Sequence, residues 1–524
     1  MINEREIRMF HRFKMPFLFV HQQWVLPFYF LLVPGCLLAS ISFQQINPPP
    51  TFNILDFGAV PDGQTLNTVA IQAAIDRAYQ SGGGRVLIPA GRFLSGSIHL
   101  KSRVDLHLEE QAVLLGSAHR RDYEKIFYYA LILADSQQQI SLSGHGTIDG
   151  QGAALAADVV RMVQSGELID PYWGNNRPHE RERPQLIEFE DCRNLRVTGV
   201  TLLNSSCWVQ AYHRCDSLTI DSIRVESMAY WNNDGLDLVN CRNVHVFDCY
   251  INSADDGICL KSSNKPTTSC EHILIERCTI RSSASAFKIG TLSCGGFRDI
   301  RVRDLTVYDT YRSAIAIEVV DGAVLEDVEV SDVRATHTGN AIFIRLGNRR
   351  PDLGIGQLRR VYLHDVYVEV PVGRPDSGYA FPGPVVAEPH NLFPSSIVGF
   401  PGHAVEDVRL KNIEIVFGGD GKRERAYVSL DSLASIPERA GDYPEFSMFG
   451  ELPAWGFYVR HVTGLKMKNV HLHCQTLDFR PALVFDDVKG LSLKGLQVAG
   501  QGGKPIIQFR DTWKGKGPKG KPKG

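Results

Sequence analysis

The run NNDGLDLVNCRNVHVFDCYINSADDGICLKS, residues 232–262, puts Asp234 and Asp237 in one short segment and the adjacent pair Asp255 and Asp256 in the next. Carboxylates held close together raise one another's pKa, so such a cluster keeps a proton donor beside an ionised base. Hydrolysis of a glycosidic bond needs that equipment: one carboxyl protonates the leaving oxygen while another activates water or attacks the anomeric carbon. Tyr230 and Trp231 adjoin the run as surfaces on which a sugar ring could stack. Two plainer readings are open. Asp-Gly is ordinary turn chemistry, and an oxygen-rich cluster can hold calcium.

A repeat must position these acids. Similar units begin at 186, 209, 235, 257, 286, 314 and 341, at intervals of 23, 26, 22, 29, 28 and 27 residues. A period in this range, made of short β-rich runs with no helix between them, points to a parallel β-helix. The expected fold is all-β: a right-handed, single-stranded parallel β-helix with an N-terminal capping helix. Strand alternation turns the second and fourth residues of each unit inward, including Ile187, Phe189, Leu236, Leu238, Ile258 and Leu260. The third and fifth then point outward: Glu188, Glu190, His213, Asp237, Lys261, Lys288, Glu318 and Arg345. Asp234 and Asp256 hold equivalent positions on adjacent coils, roughly 4.8 Å apart.

Cys192, Cys215 and Cys241 share one repeat position, which suits buried small residues better than disulfides. No CxxC pair is present to hold zinc, and the reading calls for no metal and no cofactor. Val69, Ala70, Ile71, Ala74, Ile75 and Ala78 recur at helical spacing before a Gly stop at 82–84, giving a helix that can cover the open end of the solenoid. Segments 151–184, 366–402 and 431–456 break the period and read as loops that wall a surface groove.

Residues 1–45 are of another kind: Arg5, Arg8, Arg12 and Lys14 precede an apolar stretch, the pattern of an export signal or membrane-targeting segment. The β-helix is expected over 46–510, with a basic, disordered tail at 511–524. A formal net charge of −2 argues against a nucleic-acid partner. The expected protein is exported, with no stable membrane insertion once the signal is removed. It is expected to be a monomer, with a carbohydrate as its partner.

NILDFGAVPDGQTLNTVAIQAAIDRA, GGGRVLIPAGRFLSGSIHLKS, GTIDGQG, RPQLIEF and NSSCW, with the acidic run itself, give the chain a resemblance to glycoside hydrolase family 28 reaching to about residue 345. This is the polygalacturonase-like group of pectin-lyase-like β-helices. NNDGLD and DDGICLKS are similar to the family's Asn-Thr-Asp-Gly-x-Asp and Asp-Asp motifs. The resemblance implies Asp255 as general acid, Asp234 and Asp256 as holders of the attacking water, Asn232 as their orienting partner and Asp237 as a supporting or substrate contact. It also implies inversion, although the coil spacing falls short of the usual inverting separation of about 6.5–9.5 Å.

Two family motifs are replaced. Ser285 stands where the family carries His in Gly-His-Gly, and Ala316 and Glu318 stand at both cations of Arg-Ile-Lys. On the family's orientation Glu318 would repel a galacturonate carboxylate, so plain polygalacturonate is not the expected substrate. Lys261, Lys288 and Arg345 could rebuild a carboxylate site or, with Glu318, bind the hydroxyls of a different plant or algal sugar. Trp231 and His213 are further candidate substrate contacts. The insertions favour an exo-acting hydrolase. A lyase or epimerase on the same solenoid, or a non-catalytic glycan-binding β-helix, are the alternatives.

Overall fold

Successive repeat units stack residue over residue. Ile187 pairs with Gln210, Leu236 with Ile258, Ile258 with Phe287, Phe287 with Ile315, and Ile315 with Ile342. This is the register the repeats require, because a one-residue slip would turn every apolar side chain out of the core. The structure, a computed structural model, describes residues 49–174, 177–263, 268–375, 390–421, 430–502 and 506–514. Among them 34 strands form three parallel ladders, the hairpin of Glu124–Lys125 with Tyr129–Asp135 being antiparallel. The fold is a parallel β-helix.

The ladder that carries the acids runs from Tyr129–Asp135 through Gln185–Glu190, Gln210–His213, Leu236–Val239, Ile258–Ser262 and Phe287–Ser293. It continues through Phe297–Val319, Val324–Leu346, Ser395–Val398 and Phe457–Thr463. The inward residues named above join one apolar core along the solenoid. Helix α1 (Thr68–Gln80) lies over its N-terminal end and buries Ile71, Ala74, Ile75 and Ala78. Val69 departs from the expected apolar face: it is 83% exposed, on the side of the helix turned from the core.

The insertions are more ordered than loops. Segment 151–184 opens with helix α2 (Gly152–Gln164), which buries Leu155, Ala156, Val159 and Met162 at helical spacing. Segment 366–402 contains the end of a regular rung, Gln357–Val370, and another rung, Ser395–Val398. Residues 376–389 lie outside the described residues. In segment 431–456, Leu433, Phe446, Phe449, Leu452 and Ala454 pack on Phe343, Val398, Tyr458 and Val484, forming a second apolar cluster on the outer face of the acid-bearing ladder.

Cover of this kind, with Tyr128 over Glu188 and His213 at the other end, explains the main departure from expectation. The outward residues point away from the core but not into solvent: Glu188, Glu190, His213, Asp237, Lys261, Lys288, Glu318 and Arg345 are all buried. The ten described cysteines are free, buried thiols. Cys241 Sγ donates to the Tyr212 carbonyl at 3.1 Å and Cys270 Sγ to that of Leu238 at 3.3 Å. The 1–45 segment lies outside the described residues, as does the tail beyond Trp513–Lys514, the last strand, which pairs with Leu483–Lys494. Among the described residues no helix is long and apolar enough to cross a membrane.

The stacking leaves little room at Gly257, where a Cβ would lie 2.5 Å from Ile280 Cγ2 and 2.6 Å from the Ala286 carbonyl. Gly257→Ala is expected to force the two coils apart and to lower stability by about 1–3 kcal/mol, read as a lower thermal midpoint by circular dichroism.

Candidate active site

The acids sit where the chain enters successive rungs. Val209 N–H donates to the Asp234 carbonyl, Gly235 N–H to that of Asp256 and Gly257 N–H to that of Ser285, each at 2.8 Å. Asp234, Asp256 and Ser285 therefore occupy one position on three consecutive coils. The glycine after each Asp serves close approach rather than a turn: a Cβ on Gly235 would lie 2.4 Å from Ile251 Cγ2 and 2.7 Å from the Gly257 carbonyl. Asn233 pins the preceding turn, its Nδ2 donating to the carbonyls of Ser205 at 3.0 Å and Cys207 at 2.8 Å. Asp255 is fixed through its backbone, whose carbonyl accepts from the Ser253 and Ser282 hydroxyls at 2.9 and 2.6 Å.

Asp234, Asp255 and Asp256 thus offer carboxylate oxygens within 4.8 Å of one another. Two buried ammonium groups hold this charge in place. Lys261 Nζ lies 2.9 Å from Asp234 Oδ2 and also pairs with Asp237. Lys288 Nζ lies 3.0 Å from Asp256 Oδ2 and 3.8 Å from Glu318 Oε2, and donates to the Tyr443 hydroxyl at 3.1 Å. The cluster could also suit a cation by its spacing. However, Asp234 and Asp256 already share oxygens with Lys261 and Lys288, which supply the positive charge an ion would bring.

These surroundings separate the acids. Burial, then the charges of Asp234 and Asp256, push Asp255 up to about 7. Burial also raises Asp256, but Lys288, Arg312 and Lys261 outweigh it and hold that carboxyl below its ordinary value, with Ser285 N–H donating to Oδ1 at 3.0 Å. Burial pushes Asp234 up to about 7 and Asp237 to about 6 against the pull of Lys261. A donor and an ionised base side by side are the result.

A pocket of about 470 Å³ opens over the cluster. Of the residues singled out in sequence, Glu190, His213, Asn232, Asp234, Asp255, Asp256 and Lys261 line it. Asp237, Lys288 and Glu318 lie behind this lining and act on it through charge. Glu318, expected to meet a ligand carboxylate, is 2% exposed and faces Lys288, because its ladder position is roofed by the 431–456 insertion. Arg345 is not brought to the pocket either. Its guanidinium donates to the carbonyls of Gly399 at 3.0 Å and Glu438 at 2.5 Å, pinning that roof. Trp231 is turned aside under the Arg177 guanidinium, 4.7 Å away, and its carbonyl accepts from Arg183 at 2.5 Å. Asn232 Oδ1 accepts from the same Arg183 at 2.7 Å, so it anchors the turn rather than orienting the acids. Burial holds His213 down at about 3, leaving a neutral ring beside Phe127 and Tyr128.

Several contributors were missed in sequence. Trp208 lines the pocket with the Lys261 ammonium 4.6 Å above its ring and Tyr128 packed beside it at 5.3 Å. It lies in NSSCW, one of the stretches that carry the family resemblance. Arg312, 3.5 Å from Glu445, pulls Asp255 and Asp256 down, and Arg349 and Tyr443 close the far wall. Tyr443 and Glu445 come from an insertion with no periodicity to betray them.

Lys288 is the one ammonium shared by Asp256 and Glu318 among the described residues. Lys288→Met is expected to deprive Asp256 and Glu318 of their shared ion-pair partner and to cost about 3–5 kcal/mol. Adding Glu318→Gln should restore part of that loss. A double-mutant cycle on thermal unfolding checks this, and simple additivity would show that the pair is not coupled.

Comparison with known proteins agrees with this geometry. Residues 80–366 match the model of "Glycosyl hydrolases family 28". A "Probable polygalacturonase" of Vitis vinifera is 30% identical over 328 residues, 56% of this chain and 63% of that protein. The "Exo-poly-alpha-D-galacturonosidase" of Dickeya chrysanthemi is 28% identical over 252 residues, 40% of this chain and 42% of its own length. The chain thus spans less than two thirds of these relatives. Among solved structures, the hyperthermoactive Exopolygalacturonase from Thermotoga maritima shares the fold, with a TM-score of 0.59 at 20% identity over 81% of this chain and 93% of that one. With the family model spanning more than half of its residues, the acidic cluster among them, the chain belongs to glycosyl hydrolases family 28.

Proposed function

We propose that this protein is an exo-acting glycoside hydrolase that cleaves pectin-type acidic oligosaccharides from a chain end. Asp255 protonates the leaving oxygen, Asp256 deprotonates the attacking water, and Asp234, raised like Asp255 to about 7, helps to hold that water. The observation that carries this reading is the division of charge: Asp255 is raised while its neighbour Asp256 is lowered, at the floor of one walled pocket. Phe127 and Tyr128 at one end, and Arg349 and Tyr443 at the other, bound the space. A pocket of this size suits one or two sugar rings better than a polymer running through, which supports exo action.

The substrate reading stops short of plain polygalacturonate, because Ala316 and Glu318, at the family's two cation positions, are both buried away from the pocket. Arg214 and Arg349 border it, each already paired with an acid of the chain, Arg214 with Asp191 and Arg349 with Asp321, both at 2.8 Å. The chain is read as a leader over 1–45, one catalytic β-helix over 46–510 and a basic tail. Export fits a polymer substrate outside the cell, and a monomer needs no second copy to complete the pocket.

Activity should decline as pH rises through about 7, where Asp255 loses its proton, and should persist on the acid side until Asp256 is protonated below the ordinary carboxylate range. A pH profile of kcat/KM reads both limbs. Asp255→Asn should abolish cleavage across a panel of pectic, rhamnogalacturonan and neutral oligosaccharides separated by size, and retained activity would refute the assignment. Asp255 has a folded pKa above its unfolded value of 3.8, so its stabilising contribution is full below that value and is lost as pH rises through about 7. The melting temperature of Asp255→Asn relative to the parent should therefore climb from about pH 4 to about pH 8. The anomeric configuration of the first product, read by proton NMR, tests inversion. An unsaturated, ultraviolet-absorbing product would favour a lyase instead.

A further inference from the structure

We propose that Arg312 is a positioning residue for the acid pair: from the coil beyond Ser285 its guanidinium faces Asp255 and Asp256 and sets the pH range in which they work, with Glu445 of the 431–456 insertion as its counter-charge. The inference rests on the hydrolase reading.

The path of the chain is the first support. Arg312 N–H donates to the Ala284 carbonyl at 2.8 Å and Ala286 N–H to that of Ser313 at 3.0 Å, so Arg312 and Ser313 together face Ser285. The pairing on either side shows the same extra residue on the later coil: Ile280 meets Val307, 27 residues on, whereas Phe287 meets Ile315, 28 residues on. An extra residue of this kind re-aims a side chain. Ser285 holds the position of Asp256 one coil on, and its short side chain leaves the guanidinium room to reach back towards the acids.

Charge is the second support. The Arg312 side chain is 12% exposed, and its Nε lies 3.5 Å from Glu445 Oε2, a contact of charges without a hydrogen bond. Its guanidinium is 5.7 Å from the Tyr443 ring centre, and the Lys288 ammonium, which pairs with Asp256, is 5.2 Å from the same ring. The other cations around the acids are more fully engaged. Lys261 is shared by Asp234 and Asp237, and Lys288 by Asp256 and Glu318. Arg177, whose guanidinium lies over Trp231 at 4.7 Å, is the remaining cation that faces Asp255. Burial and then the charges of Asp234 and Asp256 raise Asp255, and Arg312 is the strongest pull against them, ahead of Lys288. For Asp256 burial is opposed by Lys288 and then by Arg312.

The test is the pH profile of kcat/KM for the parent, Arg312→Met, Arg312→Lys and Glu445→Gln, on whichever pectic or rhamnogalacturonan oligosaccharide of the size-separated panel the parent cleaves fastest. Loss of the guanidinium favours the protonated form of both acids, so both limbs should move up by about one pH unit in Arg312→Met. Arg312→Lys keeps the charge and should leave the limbs close to the parent's. Glu445→Gln removes the counter-charge and should move both limbs down. A residue that merely braces the coil would lower kcat without moving either limb. That result, or limbs that move the same way in Arg312→Met and Glu445→Gln, overturns the proposal and leaves the hydrolase reading standing. If the parent cleaves nothing, the hydrolase reading falls, and the effect of Arg312 is read from unfolding instead. The climb with pH in the melting temperature of Asp255→Asn, relative to the protein without that change, should then end about one pH unit higher when both carry Arg312→Met. A climb that ends at the same pH overturns the proposal.

Discussion

Charge buried on the outer face of a β-sheet is tolerable only where an opposite charge faces it, and stacked coils dictate which charges meet. Along the acid-bearing ladder the sign alternates. Asp234 and Asp237 face Lys261, Asp256 faces Lys288, and Lys288 faces Glu318. Removing one member strands its neighbours, so the column works as a unit. It also sets the chemistry: Lys288 is what lets Asp256 stay ionised a residue away from a carboxyl that holds its proton.

This column gives a physical account of the two replaced family motifs. Where the family carries Arg-Ile-Lys the chain has Ala316 and Glu318, and the coil before carries Lys288. In this chain the ammonium of Lys288 lies between Asp256 and Glu318. A direct cation at position 318 would stand beside Lys288 with no acid between them. Glu318 and Lys288 are thus buried partners on adjacent coils.

Much of the fold was legible because a solenoid writes its register into the sequence. The units aligned at 186, 209, 235, 257, 286, 314 and 341 pair as counted, and that placed Asp234 over Asp256. What lies across the coils was not legible. Alternation shows that Arg345 points outward but not that Gly399 and Glu438 wait there to accept its hydrogen bonds. The same ignorance of the roof made Glu318 look like a ligand contact. Helix α2 was hidden differently: Leu155, Val159 and Met162 recur at helical spacing, inside a segment that otherwise differs from its neighbours only by breaking the strand period. Trp231 and Trp208 show the local limit, since a turn decides which aromatic faces the pocket, and turns carry no period.

The cysteines described in the core have one more implication. Each described thiol is buried, seven of them in the solenoid core, and those of Cys241 and Cys270 are engaged with carbonyls of neighbouring coils. An alkylating reagent can reach such sulfurs only when the coil that shields them opens. Cys192, Cys207, Cys215, Cys241, Cys249, Cys259, Cys270, Cys278 and Cys294 mark the coils around the acids, and Cys474 lies near the other end. The native sequence therefore carries its own set of position-resolved clocks, from which the order of labelling would show whether the solenoid frays from an end or comes apart as a whole.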